Sequence, residues 1–148
     1  MSMNGLKMLN TLPERSLPNI RSILEANSMP VRVPDVWTYN CWGFVAYYLG
    51  WEEQAKWLDR YQMEDYLKSN ARPINPDEVK AGDIAVFRRC GSHLEHTAII
   101  MPTTSIVCHK PGNNPLCIET VDDAHETYGG TITYVRSTLD NSAECDSV

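Results

Sequence analysis

The sequence predicts an α+β domain in which N-terminal helices pack on a small antiparallel β-sheet. Three observations carry that prediction. Up to about residue 70 apolar residues recur at helical spacing: Ile20, Ile23 and Leu24, then Cys41, Phe44, Val45, Tyr48 and Leu49. Beyond Arg72-Pro73-Ile74-Asn75-Pro76 the texture changes to short apolar runs of strand length, separated by Pro, Gly and Asn turns. A chain of 148 residues, 43% apolar and 22% charged, fits one ordinary globular domain with a real core.

Each element has a local reason. The first fifteen residues show no period and read as a flexible arm. Pro18 suits the first turn of a helix that Asn27-Ser28-Met29-Pro30 ends. Residues 29–39 hold two prolines and approach Cys41 in an extended form. Asn40 is placed to cap a helix that starts at Cys41, and Gly50 to stop it. Residues 51–70 read as more helix, with Trp51, Trp57, Leu58, Tyr61, Tyr66 and Leu67 as apolar contacts. Strands are expected at 83–88, 96–101, 105–110, 116–121 and 131–136. Residues 137–148 are polar and acidic and read as a disordered tail, which leaves a single domain over 16–136.

Composition narrows the function. A net charge of −6 argues against a general nucleic-acid binder, which carries a basic stripe. No apolar run approaches the roughly 20 residues that span a bilayer. The start, Met1-Ser2-Met3-Asn4-Gly5-Leu6-Lys7, lacks the apolar core of a secretory signal. Synthesis in the cytoplasm is therefore expected, with release by lysis or a specialised export route left open. The five cysteines (Cys41, Cys90, Cys108, Cys117, Cys145) are an odd set, so free thiols are expected, although Cys108 and Cys117 could close a small loop. Cys90, His93 and His96, with Cys108, His109 and Cys117 downstream, hold enough donors for zinc. Their spacing matches no zinc ribbon or finger, and neither metal nor cofactor is expected.

The chemistry lies in Asn40-Cys41-Trp42-Gly43-Phe44 and Glu95-His96-Thr97-Ala98-Ile99-Ile100. A thiol becomes a good nucleophile when its proton is removed and its anion stabilised, and a helix start beside an imidazole supplies both. In the hairpin around Pro102-Thr103-Thr104, pairing Met101 with Thr104 sets Ile100 opposite Ser105 and His96 opposite His109. A slip of one residue would turn His109 to the other face. His93, near a turn, reads as a surface residue. Asp83 after Gly82 reads as a turn-bonding carboxylate, and Trp42, Trp51 and Trp57 as packing residues.

These segments, with Lys80-Ala81-Gly82-Asp83-Ile84-Ala85-Val86-Phe87 and Val107-Cys108-His109, resemble the NlpC-type papain-like hydrolases over roughly residues 37–136. That group includes cell-wall endopeptidases, CHAP amidases and small type VI amidase effectors. The resemblance implies the papain-like NlpC-type fold and a cysteine hydrolase that cleaves a peptide amide through a thioester. Matched by position, Cys41 is the nucleophile, His96 the general base and His109 the third, orienting residue. The Cys41 backbone N–H with Tyr39 or Asn40 would form the oxyanion hole. Trp42 stands where the family commonly has serine, so it would reshape substrate binding beside the thiol. A cell-wall peptide or muropeptide is the first substrate implied, from a phage or effector protein among the sources. An inactive binding or inhibitor module with a protein partner stays open, as does a deamidase or acyl transferase acting on a cytoplasmic protein.

Overall fold

The structure, a computed structural model, describes residues 16–35, 38–90, 92–112 and 114–139. Helix α1 (Ser16–Ala26) buries Ile20 and Leu24, the stripe its spacing predicts. Helix α2 (Cys41–Tyr48) starts where Asn40 leaves extended backbone and its side chain accepts from the Gly43 N–H. It ends at Leu49, before Gly50 at φ +80°.

Residues 51–59 correct the expectation of continuous helix. Asn40 holds this segment as well as capping α2: its Oδ1 accepts from Leu58 N–H (3.2 Å) and its Nδ2 donates to the Leu58 carbonyl (2.7 Å). A peptide group bonded to a cap cannot also join a helical ladder. Gly43 admits the same segment, since a Cβ there would sit 1.7 Å from the Lys56 carbonyl oxygen. Helix α3 (Arg60–Asn70) therefore starts only at a capping box, in which Asp59 and Gln62 exchange side-chain-to-backbone bonds. Leu58 and Leu67 are buried as expected, whereas Trp57 and Tyr61 are 61% and 78% exposed.

Among the described residues six strands follow: β1 (Ala71–Ile74), β2 (Ile84–Arg89), β3 (His93–Ile100), β4 (Ile106–His109), β5 (Cys117–Thr120) and β6 (Thr131–Ser137). They form one antiparallel sheet in the order β1-β6-β2-β3-β4-β5. Strand β1 was not expected, because Pro73 marks against a strand; it lies at the sheet edge, where proline is tolerated. Helix α4 (Val121–Tyr128), between β5 and β6, was also unexpected. Thr120 caps it, and Val121 and Ala124 are buried.

The continuous apolar runs of β2 and β3 are explained by burial on both faces. On one face Ile84, Val86, Ile99, Cys108 and Ile118 meet the three N-terminal helices. On the other, Ala85, Phe87, Ala98, Ile100 and Val107 meet α4. Asp83 is buried, accepts from the Lys80 N–H and takes two bonds from Arg136, which ties β6 to the entry of β2.

The boundary expected at 136 moves outward. Ser137 belongs to β6 and accepts from the Trp51 indole N–H (3.1 Å), while Thr138 N–H donates to the Asn70 carbonyl. The expected arm over 1–15 and the rest of the tail from residue 140 lie outside the described residues.

Candidate active site

Three structural features bring the histidine and the thiol to one cleft. First, β2 and β3 change register between Phe87 and Arg88: Phe87 pairs with His96 but Arg88 with Leu94, so Glu95 is the extra residue of a bulge. The bulge sends Leu94 into the helix-side core and keeps His96 on the α4 face. Second, the β3–β4 ladder is recorded only at Ile99 with Cys108 and Ile100 with Val107, and stops short of His96. Third, the Cys41 end of α2 comes against β3, where the Thr97 hydroxyl donates to the Cys41 carbonyl (3.4 Å).

The hairpin register corrects the expected one by two residues, with Ile100 opposite Val107 rather than Ser105. A two-residue shift preserves the face that a one-residue slip would change. His109 consequently reaches His96 on the diagonal, with His96 Nε2 and His109 Nδ1 2.6 Å apart. The other nitrogen of His109 bonds the Glu119 carboxylate on β5. Tyr128 of α4 lies flat on the His96 ring, centroids 3.9 Å apart and planes 8° from parallel.

Cys41 and His96 line one cavity of about 570 Å³. Trp42, Trp57, Tyr61 and Tyr128 supply its aromatic wall, and Asp59, Arg60 and Glu95 its charges. Both imidazoles are wholly buried. His96 Nδ1 has no hydrogen-bond partner among the described residues.

The electrostatics differ from those of an exposed thiol at a helix start. Burial pushes the Cys41 thiol up to about 12, although backbone N–H groups of Thr97, Trp42 and Cys41 and the Lys110 charge favour its anion. Burial, then the neighbouring His109, hold His96 well below the usual histidine value. Desolvation disfavours the charged form of each group.

The remaining candidates separate. The Asn40 side chain is engaged by Gly43 and Leu58, so it holds the α2 start together rather than offering a free donor. Tyr39 is buried with its hydroxyl unpartnered among the described residues, and Lys110 Nζ lies 5.3 Å from its ring centre. Tyr39 is not among the residues that line the cavity. Trp42 does line it. Gly43 N–H is taken by Asn40 Oδ1 and Phe44 N–H by the Asn40 carbonyl, whereas those of Cys41 and Trp42 face the sulfur.

Glu119 and Tyr128 were missed. A lone carboxylate in the run Leu116-Cys117-Ile118-Glu119-Thr120 was the available signal for the first, and the i, i+3, i+7 spacing of Val121, Ala124 and Tyr128 for the second. His93 is exposed and pairs with Glu95. Cys108 faces the helix-side core while Cys117 stands opposite His109, and both are free thiols. Among the described residues one group of possible metal ligands converges, His109, Cys117 and Glu119, with donor atoms within 4.8 Å of one another. Two of the three are already bonded to each other.

A helix-borne cysteine and a strand-borne histidine facing one cleft, on a helix-covered antiparallel sheet, define the papain-like α+β class. Residues 31–133 match the NlpC/P60 family model, and the chain belongs to that family. It is a family of cysteine peptidases and amidases acting on cell-wall peptides. No curated protein matches the chain.

Proposed function

We propose that the protein is a cysteine amidase or endopeptidase that cleaves a bacterial cell-wall peptide through a thioester at Cys41. One observation carries the reading: His96 lines the same cavity as Cys41 with its buried Nδ1 unpartnered among the described residues, while its Nε2 is held by His109. A base needs one nitrogen free for the reacting proton and the other fixed to set the ring.

In this reading the neutral pair is activated as substrate binds. His96 Nδ1 takes the thiol proton while sulfur bonds to the amide carbon, and the negative charge moves to the carbonyl oxygen. The Cys41 and Trp42 N–H groups at the α2 start, which face the sulfur, serve in this reading as the donors for that oxyanion. The C–N bond breaks as the amine takes the proton from His96. Water, deprotonated by His96, then cleaves the thioester to a carboxylic acid and restores the thiol.

The test is mass spectrometry of muropeptides treated with the protein and with Cys41→Ala. Cleavage products that appear only with the native protein support the reading. Intact muropeptides under both treatments exclude the cell-wall substrate.

A further inference from the structure

Glu119 is the end of a chain of side chains that starts at the base. It stands on β5 opposite Val107, on the same sheet face as His109, which faces Cys117 two pairs along. Its carboxylate bonds His109 Nε2, His109 Nδ1 bonds His96 Nε2, and His96 Nδ1 is left without a partner among the described residues. The Glu119 side chain is 15% exposed and that of His109 is not exposed at all, so water does not compete freely for the inner bonds.

We infer that Glu119 is a positioning residue that fixes the tautomers of both histidines, and through them leaves a bare lone pair on His96 Nδ1. A carboxylate only accepts hydrogen bonds, so the His109 nitrogen facing it carries a hydrogen. In a neutral imidazole the other nitrogen then accepts, so His109 Nδ1 takes the hydrogen of His96 Nε2. The remaining nitrogen of His96 has no hydrogen and can receive the thiol proton. Were Glu119 a hydrocarbon, His109 could carry its hydrogen on Nδ1 and donate inward. That would put the His96 hydrogen on Nδ1, the one place where it blocks proton transfer. His109 is in this account the connector between a carboxylate and the base.

The inference rests on the reading of Cys41 and His96 as nucleophile and base, and its test is readable apart from that reading. Nitrogen-15 NMR of the native protein near neutral pH should show His96 and His109 both protonated on Nε2 and bare on Nδ1. His96 protonated on Nδ1, or His109 protonated on both nitrogens, overturns the inference whether or not a substrate is turned over. Glu119→Leu should move His96 toward the Nδ1–H form and lower kcat about 10–100-fold, the usual scale for a partner one shell out. Glu119→Gln, whose amide oxygen still accepts, should keep the native tautomer and recover most of that loss. Native tautomers and native kcat in Glu119→Leu overturn the inference. If that variant fails to fold, the native spectrum and Glu119→Gln still decide it. Inactivity of the native protein with the expected tautomers would instead count against the proposed function alone.

Discussion

The His96 imidazole lies face to face with the Tyr128 phenol, 3.9 Å between centroids and 8° between planes. Phe87 closes on the same ring from 5.5 Å, and His109 meets it edge-on at 4.8 Å. The His96 ring is thus held by aromatic surfaces as well as by its Nε2 bond, which fixes the direction of Nδ1. Tyr128→Ala should lower kcat about 10–100-fold by letting the ring leave its reactive geometry. Tyr128→Phe, which keeps the stack, should stay near native. Steady-state rates on a muropeptide check both, and equal loss in the two variants would move the role from the ring to the hydroxyl.

The thiol should behave as a buried one. Alkylation of Cys41 by a small electrophile should keep accelerating as pH rises past the ordinary thiol value of 9.0, because burial raises the folded thiol to about 12. A plateau below pH 8 would show a stabilised thiolate at rest. Cys41→Ala should remove turnover and leave the melting temperature close to native.

Stability should fall on acidification in a window that starts near the ordinary histidine value of 6.5. The folded value of His96 lies well below it. As pH drops through 6.5 the unfolded chain binds a proton that the folded chain does not, so the unfolded state gains. The slope from this group reaches at most about 1.4 kcal/mol per pH unit and ends below its folded pKa. Thermal melts at pH 7.5 and 5.5 should show a smaller difference in His96→Phe than in the native protein.

Gly43→Ala should be strongly destabilising despite its helix position. The added methyl meets a backbone carbonyl at 1.7 Å, so α2 or the Lys56–Leu58 segment must shift. A cost of about 1–3 kcal/mol is expected, as for overpacked cores. Chemical denaturation measures it, and a native midpoint would show that this segment moves without cost.

The amino-acid sequence determined whatever depends on near neighbours. Asn40 before an apolar helical stripe fixed where α2 begins and put Cys41 at its head. Alternation and turns in the second half fixed most strands, and equal face parity put His96 and His109 on the same side of the sheet even though the register was two residues off. The tertiary structure decided what depends on distant segments. Leu58 binding to Asn40 cancelled helix in residues 51–59, because a capping side chain reached 18 residues along the chain. Glu119 and Tyr128 joined the site from β5 and α4, elements whose short spans give weak periodic signals. The sign of the Cys41 and His96 shifts was likewise decided there. A helix start and an imidazole are visible in sequence, whereas the desolvation that outweighs them exists only once the sheet and helices close around both groups.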